Sequence, residues 1–266
     1  MSGTASVNTT TAGDARRGMS LWRLERLRLL RTHRWLILFG AYAAFGVLGP
    51  LTARFIRELF GRAGGEITII APDPRPVDGI IQFVTNAGQL GLLAVVVVAA
   101  GALAFDAHPQ RAAFLRTRSS RPDRLVVAPY VVTTVATVLA LLAGTALATL
   151  LTTLLIGPLP TGALVVGTTY GALYLGFVVA VVAAAAGVVR TQIATVFLAV
   201  GVLLALPVVA MLDVVRPWAP SELLLAVVGM VEGAPASDYA RAAGTSVVAT
   251  VVLLLFAARR LGRREL

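Results

Sequence analysis

The 266 residues predict an all-α integral membrane protein. It has six transmembrane helices with both termini cytoplasmic, an N-terminal interfacial helix, and a short re-entrant outer helix before the last span. Three observations predict this. Hydrophobic residues make up 58% of the chain and charged ones 14%, where a soluble domain carries about a quarter charged residues. Apolar runs approaching or exceeding the roughly 20 residues that cross about 30 Å of hydrocarbon recur along the chain. The basic residues, 23 arginines and no lysine, crowd to one side of the topology those runs imply.

Residues 1–20 are rich in Thr, Ser, Gly and Ala and lack the apolar core of a signal peptide, so they read as a disordered cytoplasmic tail. Ser20 then caps an interfacial helix, Leu21 to Arg34. Its Leu21, Leu24, Leu27 and Leu30 advance by three residues and so drift around the helix, while Trp22 and Leu29 lie off that stripe. The stems of Arg23, Arg26, Arg28, Arg31 and Arg34 can lie along the interface with their heads on lipid phosphate.

The first span, residues 35–53, makes about 28 Å of helix, with Pro50 near its far end. A polar stretch follows whose Ala71-Pro-Asp-Pro-Arg-Pro76 core forbids regular helix. The second span is 88–105, entered by a helix starting near Asp78. A basic loop, 106–124, leads to two long apolar stretches, 125–156 and 161–189, separated by the Gly157-Pro-Leu-Pro160 break. These are counted as two long, tilted spans. The fifth span is 192–212 with Pro207 inside it, and the sixth is 242–258. Residues 21–258 thus form one six-helix domain, followed by a basic cytoplasmic tail, 259–266. Between the last two spans, Leu223 to Val231 is too short to cross. Pro220-Ser-Glu222 starts it as a helix that dips into the outer leaflet and returns.

With the N-terminus inside, seventeen arginines fall on the cytoplasmic side. The other six, Arg54, Arg57, Arg62, Arg75, Arg216 and Arg241, fall outside. Including acidic residues, the inside carries +12 and the outside −2. This is a strong positive-inside bias. It explains the net charge of +10 by orientation in a cell (inner or plasma) membrane, with no nucleic-acid partner needed.

The six spans contain no Asp, Glu, Lys, Arg or His. Ion-coupled carriers, intramembrane proteases and metalloenzymes keep such residues in the bilayer, so these classes are disfavoured. Backbone carbonyls can still bind Na⁺. With no cysteine there is no thiol chemistry or cysteine metal site. With no lysine there is no phosphate-binding loop of the G-x-x-x-x-G-K-[ST] kind. The chain therefore reads as neither an enzyme nor a cofactor binder, and any ATP-Mg chemistry belongs to another polypeptide. His33 and His108 stand alone at cytoplasmic edges, and Trp22, Trp35, Tyr130 and Trp218 read as interfacial anchors.

The basic loop is the most informative local feature. Pro109 sits at the first position of a short helix. Gln110 to Arg118 then places Phe114 and Leu115 among Arg111, Arg116 and Arg118, and Ser120-Arg-Pro-Asp123 has the spacing of a capping box opening the third span. Two readings stand side by side: a docking helix for a partner, and a positive-inside loop whose arginines bind lipid phosphate. Small residues recur at four-residue spacing at Ala136, Ala140, Gly144 and Ala148, at Gly167 and Gly171, and at Gly176, Ala180 and Ala184. They serve close packing within one subunit or between two. Thr133, Thr137, Thr145, Thr149, Thr152 and Thr153 either line a path or bond their own helix backbone.

In this order of elements the chain resembles the membrane (permease) subunit of a type-2 ATP-binding cassette (ABC) exporter, from about Leu21 onward. Leu21 to Arg34 is similar to that family's connecting helix, with Arg23, Arg26, Leu27 and Leu30 on it. Gln110 to Arg118 is similar to its coupling helix, within a loop that runs from Phe105 to a Pro-x-Arg-Leu turn at Leu125. Asp106 and Pro-Gln stand here where many members have Glu followed by Gly-Thr. Glu222 to Val231 resembles its re-entrant helix, and Arg259 to Leu266 its basic end. The resemblance implies a separate ABC ATPase subunit, a second permease copy or homologue, and alternating access driven by ATP. Arg111, Phe114, Leu115, Arg116 and Arg118 would be the energy-transfer contacts. The apolar, Thr-lined spans suit a hydrophobic or amphipathic substrate. The competing classes are an ATP-independent carrier or channel and a non-transporting membrane scaffold.

Overall fold

A computed structural model describes residues 21–62, 73–104 and 122–263. Among them are eight helices and no strand. They are α1 (Leu21–Arg31), α2 (Arg34–Arg62), α3 (Pro76–Leu103), α4 (Pro122–Leu155), α5 (Thr161–Val188), α6 (Gln192–Val209), α7 (Glu222–Val231) and α8 (Ala240–Arg263). Six of them, α2 to α6 and α8, are long and apolar enough to cross a membrane, and the chain is read as a multi-pass membrane protein. Turns of a few residues at Ile156–Pro160 and Val189–Thr191 force neighbouring helices antiparallel. Contacts at both ends agree. Arg34 at the start of α2 lies against Gly101 at the end of α3, whereas Thr152 at the end of α4 lies against Gly79 at the start of α3. One end of the bundle therefore carries α1, the end of α3 and the arginine-rich end of α8. The other carries α7.

Several boundaries differ from those read off the sequence. The interfacial helix stops at Arg31 instead of running to Arg34, because His33 adopts a left-handed backbone, φ 54°. The Thr32 hydroxyl closes the last turn by donating to the Arg28 carbonyl at 2.7 Å. The second spanning helix starts at Pro76, close to the entry helix expected near Asp78, and runs on without a break through the expected start of the span at Gly88. Its start is built on Asp78, whose carboxylate accepts from the Arg75 backbone N–H at 2.7 Å, with Pro76 in the first turn where no N–H is missed. Within it Ala87–Gly91 forms a π turn, which periodicity cannot reveal. Helix α6 ends at Val209 and not at Leu212, two residues beyond Pro207, whose ring breaks the ladder. Helix α8 runs from Ala240 to Arg263, past the expected Ala258. Gly233 ends the α7 segment with φ 101°, a conformation a side chain would strain. Ser120 and the coupling-helix residues lie outside the described residues.

Helix α5 is the central post. In its most apolar 18-residue window 83% of residues are buried, against 17% for α6 and for α8. Every residue from Tyr174 to Gly187 is buried, and α5 touches α3, α4, α6, α7 and α8. Lipid is as apolar as leucine, so helices gain from association mainly through close van der Waals approach. The Ala- and Gly-rich sequence of α5 permits that approach from all sides. The same device joins α2 to α4: a Cβ on Gly46 would sit 2.5 Å from the Gly144 carbonyl oxygen, and one on Gly144 2.6 Å from the Tyr42 carbonyl oxygen.

Candidate functional site

The end bearing α1 is assembled from charged residues laid on helix ends. Helix α1 packs against α4 and α2. Of its residues Glu25 is buried, Leu27 half-buried, and Arg23 and Arg26 exposed, while Leu30 is turned outward. Leu29, off the leucine stripe, is the residue that joins the core, as a three-residue repeat drifting around a helix allows. Arg28 lies 3.7 Å from the Glu25 carboxylate and donates to the Gly101 carbonyl at 3.1 Å. The Arg34 guanidinium lies over the same glycine, 2.7 Å from where a Cβ would stand. Helix α1 is thus fastened to the last turn of α3, from which the basic loop departs. That loop, with Arg111, Phe114, Leu115, Arg116 and Arg118, lies outside the described residues. The helix ends that flank it in the chain, the end of α3 and the start of α4, are at the α1 end of the bundle.

The threonine and glycine positions on α4 and α5 are mostly buried in helix contacts, with Thr149 half-buried and Thr153 exposed. Thr133, Thr137, Thr145 and Thr152 are buried. The Thr137 hydroxyl donates to the Thr133 carbonyl at 2.9 Å, and that of Thr153 to Thr149 at 2.8 Å, the back-bonded arrangement. Gly144 faces Tyr42 of α2, Gly167 faces Val227 of α7, and Gly171 faces Leu141 of α4. Tyr130 is also no lipid anchor, since its hydroxyl donates to the Gly176 carbonyl at 3.3 Å between α4 and α5. Trp22 and Trp218 are half exposed, and Trp218 carries the Arg241 guanidinium 5.7 Å above its ring.

The opposite end holds the concave surfaces. Helix α7 is wedged between α5 and α3, its Val227 backbone against Gly167 and its Leu224 against Gly88. Beside it a cavity of about 690 Å³ is walled by the π turn of α3, by α6 around Pro207, and by α7. Its lining is mostly apolar, with Gln89, Asp213, Arg216, Ser221 and Glu222 as polar members. A second, polar cleft of about 620 Å³ adjoins it, lined by Ser237, Asp238, Tyr239 and Arg241 and sharing Arg216 and Glu222 with the first. Arg216 and Glu222 form an ion pair at 3.6 Å. No sequence signal marks this site: its walls come from three helices far apart in the chain, and Pro207 alone hints at irregular backbone. Among the described residues no three His, Asp or Glu side chains gather as a metal site would require. No protein-family model matches the chain, and no curated protein matches it either.

Proposed function

We propose that the chain is the membrane permease subunit of an ATP-driven ABC exporter, powered by a separate ATPase subunit. The observation that carries this reading is a division of labour along the bundle. The spans hold no Asp, Glu, Lys, Arg or His between Trp35 and Ala53, Gly79 and Leu103, or Thr161 and Val188, and the other three interiors are equally bare. They therefore lack the side chains that carry protons and ions in ion-coupled carriers. At one end, helix α1 is fastened by Arg28 to the base of α3, so a push on α1 or on the adjoining basic loop reaches a spanning helix directly. The work would enter there, through Arg111, Phe114, Leu115, Arg116 and Arg118, from an ATPase that itself holds ATP-Mg. A second permease copy or homologue would complete the path, and α7 would be the re-entrant helix of the outer leaflet. The permease itself contributes no catalytic residue.

Two experiments test this. Co-expressed with a candidate ABC ATPase, the chain is expected to co-purify with it. The double substitution Phe114→Ala, Arg116→Ala is expected to lower efflux roughly tenfold while ATP hydrolysis persists. If the ATPase does not bind, or works equally well with the altered loop, the reading fails and a carrier or scaffold takes its place. Orientation is tested on the natural cysteine-free chain. Ser237→Cys, exposed at the α7 end, is expected to react with an impermeant maleimide on intact cells. Thr32→Cys, exposed at the α1 end, should react only after permeabilisation. The reverse pattern would put α1 outside and exclude ATPase docking there.

A further inference from the structure

We propose that the apolar cavity and the polar cleft at the α7 end form one binding site for a single-chained amphiphile with an alkylammonium head. The tail lies between α3 and α6, and the head lies at Asp213 and Asp238. As a binding site this stands on geometry alone; as a substrate site it rests on the exporter reading above.

The two concavities adjoin, with the Arg216–Glu222 ion pair as their common wall. A volume of about 690 Å³ lies within the range of small-molecule sites, roughly 300–1,000 Å³. The tail wall is large and aliphatic: Leu90, Leu93, Leu204 and Leu225 line it and are all exposed to it or to lipid. Both long walls have irregular backbone at this level. The π turn Ala87–Gly91 widens α3, a feature concentrated at functional sites. On α6, Pro207 has no N–H to give the Leu203 carbonyl. That leaves a backbone acceptor on a residue that lines the cavity.

The head preference follows from which charges are already matched. Arg216 is paired with Glu222 at 3.6 Å, and Arg241 lies over the Trp218 ring at 5.7 Å. Among the described residues Asp213 in the cavity and Asp238 in the cleft form no ion pair, and the three carboxylates of the joint lining outnumber its two guanidinium groups, Arg216 and Arg241, by one. In the cavity the Ser221 hydroxyl oxygen is buried with no hydrogen-bond partner among the described residues. A buried hydroxyl left unmatched is costly, and an ammonium N–H is one donor it can accept from. An anionic head would meet the Asp213 and Asp238 carboxylates with only Arg241 to offset them, and a neutral head would leave them unused.

The probe is a diazirine-bearing dodecylamine, applied to the full chain in nanodiscs of neutral lipid. The comparison probes are equal-chain analogues with a carboxylate or a sugar head. Labelling by the amine is expected to map to Leu90–Leu93 and Val200–Pro207 and to be competed by unlabelled dodecylamine. Leu204→Trp, filling the tail space, should lower amine labelling about tenfold. Leu93→Trp does the same from the opposite wall should the first variant fail to fold by circular dichroism and gel filtration. Asp213→Asn with Asp238→Asn should lower amine labelling roughly three- to tenfold and leave the sugar-headed probe unchanged. Labelling that dodecylamine does not compete overturns the site, as does labelling that maps to the lipid face of α8. Equal labelling by amine and carboxylate overturns the head assignment. No ATPase is present in this test, so its failure leaves the exporter reading standing, and failure of ATPase co-purification leaves the site standing.

Discussion

Gly144→Val is expected to leave no monodisperse protein in a detergent that preserves the natural chain. At this position α2 and α4 touch backbone to backbone. A Cβ on Gly144 would stand 2.6 Å from the Tyr42 carbonyl oxygen and 3.1 Å from the Phe83 ring, while Gly46 approaches the Gly144 carbonyl just as closely. No side-chain rotation relieves such a clash, because the atoms met first belong to the main chain. The helices must separate along the whole Ala136, Ala140, Gly144, Ala148 face, all of it buried. Overpacking in a well-packed core costs about 1–3 kcal/mol, and a backbone clash lies at or above the upper end. Gly40→Val is the control, with nothing within 4 Å of the new atom. Thermal unfolding followed by fluorescence size-exclusion chromatography checks both. Equal midpoints for Gly144→Val and the natural chain would show that α2 and α4 are not in contact there.

Glu25→Leu is expected to release α1 from the bundle without unfolding the spans. Glu25 is 6% exposed and lies 3.7 Å from Arg28, which is itself bonded to the Gly101 carbonyl. Removing the carboxylate leaves a guanidinium in a half-buried place with less to balance it, a loss of about 1–3 kcal/mol. Detachment of α1 would then free its backbone to unfold locally, and trypsin cleavage after Arg26 and Arg28 should accelerate roughly tenfold or more. Cleavage at the natural rate would mean that leucine contacts, and not the Glu25–Arg28 pair, hold α1. On the exporter reading the same variant should also lose efflux, since a helix no longer fastened to α3 transmits no force.

What could be read from the residues follows from which signals are local. Long apolar runs, the Gly157–Pro160 break and the ten-residue apolar segment before the last span each declare themselves within a short window, and the six spanning helices and α7 stand where those windows lie. A helix entering near Asp78 was legible, but not that it runs unbroken into the span, because Asp78, a charge that argues against a spanning helix, is there part of its cap. The break between α1 and α2 was expected at Arg34 and lies at Thr32–His33, because a left-handed histidine has no sequence signature of its own. The threonines of α4 gave an ambiguous signal by nature: a hydroxyl facing a pore and one bonded to the preceding turn have the same spacing. In the structure Thr137 and Thr153 bond the preceding turn, and Thr152 lies against Gly79 of α3. The cavity was illegible for the opposite reason. It belongs to no window at all, only to the way α3, α6 and α7 meet.

The burial of α5 has a consequence for the order in which the chain is made. Much of its covering surface is supplied by α7 and α8, which are synthesised after it. When α5 enters the bilayer, α3 and α4 are already in place to pack against it, while its contacts with α7 and α8, Ala257 against Gly187 among them, are still to come. Helix α5 therefore reaches its full packing only once α8 arrives. A nascent chain halted before α8 should hold its central post part-covered, with the Gly187 face turned to lipid.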